Sequence, residues 1–247
     1  FQSFPAEGIG LRARVGNFLE DQHGVLWLGS SDGVRRYDGQ QFVPFPVEEA
    51  LGTVGATPLL EDDDGRLWFS AYPHGVFFYD GGSFTAFSHA TGLPTNPVAC
   101  AGQDRQGRLW LGTRGGGVCR YEGTRFTHVT TREGLLDDGL YTVVEDAQGF
   151  PWVATFRGVC RYDGTQWQAV TRSPNGRTAL VALHADRGGT WWGITHGGDV
   201  QRFDGQTWET LYQGEGRPHP NPPAIVEDGQ GRLWLATGGR GVYRYDG

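Results

Sequence analysis

The chain has 247 residues, 41 of them glycine and 13% aromatic, with a formal net charge of −7. Such a length can bury a large core, and the aromatic content argues against disorder. The acidic balance and the lack of any lysine or arginine run disfavour phosphate-tracking nucleic-acid binding and an anionic membrane surface.

No stretch of 18 apolar residues offers a membrane span. The chain contains no methionine and no signal peptide, which predicts a processed, excised or engineered piece of a chain. The glycines follow no collagen-like period and are read as turn and close-packing positions.

In chain order, the first element is FQSF at residues 1–4, which matches FVPF at 42–45. The first turn signal is Asp21-x-x-Gly24, followed by Trp27, and this phrase then returns along the whole chain. The tryptophans stand at Trp27, Trp68, Trp110, Trp152, Trp192 and Trp234, with spacings of 41, 42, 42, 40 and 42. Six residues before each lies an aspartate: Asp21, Asp62, Asp104, Asp146, Asp186 and Asp228. A glycine follows each aspartate by three residues, from Gly24 to Gly231. Next come an aromatic (Tyr37, Tyr79, Tyr121, Tyr162, Phe203, Tyr245) and an Asp-Gly pair, replaced once by Glu122-Gly123. A second aromatic then appears at Phe42, Phe84, Phe126, Trp167 and Trp208.

Each feature has a mechanical meaning. In D-x-x-G the aspartate bonds the backbone ahead of it and the glycine takes a positive φ. Asp-Gly between apolar runs signals a hairpin. The runs between these signals, such as RLWLGT and GVCRY, are strand-sized. Each repeat is therefore read as four short antiparallel strands, a to d, with a–b turning at D-x-x-G and c–d at Asp-Gly.

A repeated four-stranded sheet of about 42 residues is the signature of a β-propeller blade. Blades stack face to face, which explains strands that are apolar on both sides. The six tryptophans are assigned to packing between blades. The predicted fold is all-β: one domain over residues 1–247, a six-bladed β-propeller whose N-terminal strand completes the last blade. The chain stops at YRYDG, the end of a strand c, and begins in the phase of a strand d. That clasp would remove an open sheet edge.

Three cysteines, Cys100, Cys119 and Cys160, make no disulfide framework and are read as small core residues.

Function is sought where the repeat varies. The a–b and c–d turns are monotonous, whereas the b–c and d–a loops on the opposite face differ from blade to blade. The b–c loops present Asp32, Tyr72, His74, Arg114, Phe156, Arg157, His196, Asp199 and Arg240. The d–a loops add Arg14, Asn96, Asp137, Asp138, His219 and Asn221. Arginines, aromatics and amides around one mouth suit a small polar molecule or a peptide. From this set the expected ligand-binding rim is Arg14, Asp32, Tyr72, His74, Asn96, Arg114, Asp138, Phe156, Arg157, His196, Asp199, Asn221 and Arg240.

Signals for catalysis are weak. No H-x-x-x-H or C-x-x-C spacing supports a metal, no G-x-S-x-G elbow occurs, and GGGVCR lacks the Walker lysine. Rim acids permit glycoside chemistry without signalling it. No catalytic residue, metal or cofactor is assigned, and His184 is read as a packed strand residue.

The stretch GLPTNPVACAGQDRQGRLWLGTRGGGVCRYEG (92–123) resembles the two-component regulator propeller repeat. That pattern runs GL-P-polar-N, a short apolar strand, D-x-x-G-x-LW-apolar-GT, a glycine, then an aromatic and Asp, and it recurs through all six repeats. The resemblance implies a periplasmic or extracellular sensor module joined to the signalling domains of a larger parent protein, with a saccharide-like ligand. The chain has no membrane helix, kinase segment or Ig-like domain, and fewer repeats than the longer arrays of that family. Three functions follow for testing: a non-catalytic sensor binding a small polar ligand or saccharide; an interaction scaffold or engineered propeller without a ligand; and a propeller enzyme of lyase or hydrolase type.

Overall fold

A computed structural model describes residues 15–30, 33–47, 55–72, 75–94, 97–123, 125–173, 179–214, 224–236 and 242–245. The chain forms two compact units, Phe1–Val98 and Ala99–Gly247.

The first unit holds two antiparallel four-stranded sets. One comprises β1 (Val15–Glu20), β2 (Leu26–Ser30), β3 (Gly33–Tyr37) and β4 (Phe42–Phe45); the other comprises β5 (Gly55–Glu61), β6 (Leu67–Tyr72), β7 (Gly75–Tyr79) and β8 (Phe84–Phe87). A pairing of Ser30 with Ala56 joins them. Trp27, Val34, Phe69 and Phe77 form the core between the sets.

The second unit carries the next four sheets, the first of them beginning one residue earlier, at Val98. They are β9 (Val98–Gln103), β10 (Leu109–Thr113), β11 (Val118–Tyr121) and β12 (Phe126–Val129); β13 (Leu140–Glu145), β14 (Pro151–Thr155), β15 (Gly158–Tyr162) and β16 (Trp167–Arg172); β17 (Leu180–Ala185), β18 (Trp191–Thr195), β19 (Val200–Phe203) and β20 (Trp208–Tyr212); and β21 (Ala224–Glu227), β22 (Leu233–Ala236) and β23 (Val242–Tyr245). The last sheet has three described strands, and the expected fourth, residues 1–4, lies outside the described residues.

Every position of β10, β14 and β18 is buried, as expected of strands covered on both faces. Trp110 packs on Val143, Val153 and Trp167 of the following sheet. Trp152 packs on Leu183 and Trp191, and Trp192 on Leu233 and Leu235. Trp27, Trp110, Trp152 and Trp192 thus lie between sheets, and Trp234 departs from this. Trp234 of β22 is 37% exposed, against 1% for Trp110; among the described residues no further sheet of its unit follows it. Val242 and Tyr243 are exposed beside it.

The turns are built as the spacing implies. Gly24, Gly65, Gly107, Gly149, Gly189 and Gly231 have φ between +74° and +85°. Their N–H groups donate to the carbonyl of the turn aspartate. The aspartate carboxylates do more than close the turn. In all six repeats the tryptophan Nε1–H donates to the carboxylate six residues earlier, at 2.7–3.0 Å. Burial pushes the Asp146 carboxyl up, but the Phe150 N–H, the Trp152 indole and Arg161 together hold it below the usual range.

A second link joins neighbouring sheets. The Gln22 N–H donates to Glu61, Arg105 N–H to Glu145 and Arg187 N–H to Glu227, at 2.6, 2.6 and 2.9 Å. Each donor follows a turn aspartate, and each acceptor precedes the turn aspartate of the next repeat.

Two short 3-10 turns, His89–Thr91 and Thr131–Glu133, were not expected from periodicity. Their cause is local: the Ser88 N–H donates to the Thr91 hydroxyl and the Thr130 N–H to the Glu133 carboxylate, each as part of a capping box. Cys119 and Cys160 are buried and all three cysteines are free, as the core reading implies. Burial pushes the Cys100 and Cys119 thiols up to about 12, so neither is a ready nucleophile.

Candidate functional site

In the second unit, the loops after β10, β14 and β18 gather around the entry to β13. The entry is held by backbone demands. Gly115 and Gly117 N–H both donate to the Asp138 carbonyl, at 3.0 and 2.8 Å. The Asp138 carboxylate accepts from Thr131 N–H at 2.7 Å. Gly117 is buried and its N–H needs an acceptor, which the Asp138 carbonyl supplies. Asp199 behaves alike: its carboxylate accepts from Gly214 N–H at 2.7 Å and its N–H donates to the Thr195 hydroxyl. Both rim candidates therefore shape loops.

Beside them lies a cluster of different character. Arg114 bridges to Gly139 through the backbone. Phe156 N–H donates to the Gly139 carbonyl at 2.9 Å, and its ring lies over that glycine, where an added Cβ would come within 2.6 Å. Asp137 accepts from Gly139 N–H at 2.8 Å and pairs with the Arg157 Nε at 3.3 Å. The Arg157 side chain is 67% exposed. His196 is anchored by its N–H to the Ala179 carbonyl at 2.9 Å.

Tyr141, which the loop reading missed, lies among them. Its ring centroid is 4.7 Å from that of Phe156 and 6.2 Å from that of His196. Burial pushes its phenol above the ordinary value; the Arg114 charge opposes this and the Asp137 carboxylate adds to it. Arg114, Phe156, Arg157 and His196 of the expected rim are thus brought together, with Asp137 and Tyr141. Of the remaining rim candidates, Arg14, Asp32, His74, Asn96, Asn221 and Arg240 lie outside the described residues, as does the side chain of Tyr72. Among the described residues, no group of three or more His, Cys, Asp or Glu could hold a metal ion. Nor, among the described residues, is any helix long and apolar enough to cross a membrane.

The periodic sheets and this variable face place the chain in a known class. Residues 92–115 and 216–239 match the family model of the two-component regulator propeller, so the chain carries that repeat. Among solved structures it is similar to the extracellular domain of BT4673 from B. thetaiotaomicron, described both as a one component and as a hybrid two component system. The TM-scores are 0.65 and 0.63 and the identities 19% and 20%; 95% of this chain is covered in both. The chain spans only 39% and 38% of those two domain chains. It is also similar to virginiamycin B lyase from Staphylococcus aureus, with a TM-score of 0.72 and 14% identity, covering 94% of this chain and 81% of the lyase. At these identities the likeness shows the fold, a β-propeller built of four-stranded antiparallel sheets. A comparison with curated proteins finds none that matches.

Proposed function

We propose that this chain is the non-catalytic, ligand-binding input module of an extracellular or periplasmic signalling protein. Its ligand is a small polar molecule, with a saccharide as the leading candidate. The observation that carries this reading is the convergence of Arg114, Asp137, Phe156 and Arg157 with Tyr141 beside loops tied to one another by backbone hydrogen bonds. A few placed polar groups beside aromatic rings are the usual make-up of a small-molecule site. The regulator-propeller repeat supports the signalling role, and the likeness to BT4673 extracellular domains supports the compartment.

A screen of glycans and metabolites by thermal shift tests the reading. At least one ligand should raise the melting temperature, because binding to the native state alone stabilises it. Replacing Arg114 and Arg157 together with alanine should leave the unliganded melting temperature nearly unchanged, as exposed substitutions usually do. It should also remove most of the ligand-induced rise. No shift with any compound would overturn the reading.

The six repeats are further proposed to close as a six-bladed ring in which residues 1–4 supply the outer strand of the last sheet. The FQSF/FVPF match supports this phase. Deleting residues 1–4 should then lower the melting temperature far more than an average surface change. An unchanged value would overturn closure.

A further inference from the structure

The sheets of the second unit are not all joined alike. Immediately before the turn aspartates stand Glu20, Glu61, Gln103, Glu145, Ala185 and Glu227. The Glu145 and Glu227 carboxylates each accept a main-chain N–H of the preceding sheet, from Arg105 at 2.6 Å and from Arg187 at 2.9 Å. The side chain of Ala185 has no oxygen to accept with, so β17–β20 meets β13–β16 without that link.

A second substitution accompanies the first. Immediately before the repeat tryptophans stand Leu26, Leu67, Leu109, Pro151, Trp191 and Leu233. Across the ladder Glu145 pairs with Pro151 and Glu227 with Leu233, whereas Ala185 pairs with Trp191. The small alanine leaves room beside it for an indole. Trp191 stacks on Trp152 of the preceding sheet, with ring centroids 4.3 Å apart and planes at 22°. Phe203 meets the same Trp152 edge-on at 5.9 Å. At this seam flat rings stand where the next seam has a carboxylate.

The loop side repeats the contrast. Between β9–β12 and β13–β16, the Gly115 and Gly117 N–H groups donate to the Asp138 carbonyl. Between β13–β16 and β17–β20, Tyr141 meets the His196 ring at 6.2 Å, with Phe156 against Tyr141 at 4.7 Å.

The two kinds of joint resist displacement differently. A hydrogen bond to a fixed N–H weakens steeply as its angle departs from the preferred range. Apolar contact is non-directional and follows the area covered. Stacked rings also favour offset positions, so sliding one over the other keeps most of their contact. Small sliding of packed elements is one of the established forms of conformational change.

We infer that the seam between β13–β16 and β17–β20 is a shear plane built into the second unit, and that sliding along it reshapes the loop cluster by moving His196 against Tyr141 and Phe156. The motion belongs to the unliganded chain and goes beyond the ligand-binding reading.

Relaxation-dispersion NMR of the whole chain tests this, because it reads microsecond-to-millisecond motion site by site. The indole N–H signals of Trp152 and Trp191 and the His196 ring should show exchange at one common rate. Trp110 and Trp192 face the two seams that keep a glutamate, and they should show none. The double variant Ala185→Glu, Trp191→Leu gives the open seam the pair that β21 and β22 carry, and exchange at Trp152 and His196 should be lost. Glu227→Ala removes the carboxylate from the next seam and should bring exchange to Trp192. Should the double variant fail to fold, Glu227→Ala and the wild-type comparison carry the test. Absence of exchange at Trp152 and Trp191, equal exchange at Trp110 and Trp192, or its persistence in the double variant would overturn the shear plane. Exchange at His196 with a rate of its own would overturn the coupling to the loop cluster.

Discussion

Replacing Asp104 with alanine should destabilise the protein by about 3–4 kcal/mol, the largest loss expected from any single polar side chain here. Asp104 is 2% exposed. One carboxylate oxygen accepts from Gln106 N–H and Arg108 N–H, at 3.1 and 3.0 Å. The other accepts from the Trp110 indole and the Arg108 Nε, both at 2.7 Å. Truncation leaves the Trp110 N–H unpaired in a core where the residue is 1% exposed. The Arg108 side chain, 21% exposed, can recover some water, which keeps the expected loss below the sum of the broken bonds. Asparagine should rescue little, since its amide would set a donor against at least one of these donors. Urea unfolding should show a lower midpoint with an unchanged slope. Asp228→Ala is the internal control. It breaks the same indole bond, but Trp234 is 37% exposed, so its loss should be less than half as large. Equal losses at the two positions, with an unchanged melting temperature on deleting residues 1–4, would contradict the role given to burial; equal losses with a large drop on that deletion would place Trp234 under the first sheet of the closed ring proposed above.

Gly158→Ala should cost about 3 kcal/mol or more. Gly158 opens β15 with φ +136°, a backbone conformation that side chains rarely adopt. A Cβ there would run into the Thr171 carbonyl oxygen and lie 2.9 Å from Leu136 Cδ1. The carbonyl is fixed, because Thr171 belongs to the paired strand β16, whereas the Leu136 side chain can shift. Gly39→Ala separates the two causes. Gly39 also has a positive φ, +98°, but nothing lies within 4 Å of an added Cβ. Its substitution should therefore cost only the conformational penalty of about 1–2 kcal/mol. If both variants unfold at the same denaturant concentration, the close approach of β15 to β16 is not what requires glycine at 158.

Much of this architecture could be read from periodicity. The second aromatics, Phe42, Phe84, Phe126, Trp167 and Trp208, begin β4, β8, β12, β16 and β20 as the hairpin signal implies. The tryptophan–aspartate bond was not legible, although both residues were. Turn chemistry alone accounts for an aspartate in D-x-x-G, and the six-residue spacing gives no sign that a turn carboxylate reaches an indole on the next strand. The variable face was legible in the loop sequences, and Arg114, Phe156, Arg157 and His196 come together there in the structure. Asp138 and Asp199 each hold a loop N–H through the carboxylate, a structural role that stays hidden until the backbone N–H groups around a polar loop residue are counted. Tyr141 was missed for a different reason. Its position falls inside a strand, where aromatics ordinarily mean core, and Tyr141 does pack on the core of Trp152, Leu180 and Trp191 while also touching Phe156 and His196 of the variable loops.

The glutamate links between sheets carry an evolutionary consequence. The donor in each is a main-chain N–H, from Gln22, Arg105 or Arg187, which any residue but proline could supply. Only the acceptor side asks for a particular residue. A unit bearing that glutamate can therefore be copied, inserted behind any other, or shuffled between genes without a matching change in its new predecessor. Growth and loss of units should leave the join chemistry intact, so families assembled in this way can vary in length much faster than they vary in the design of their seams.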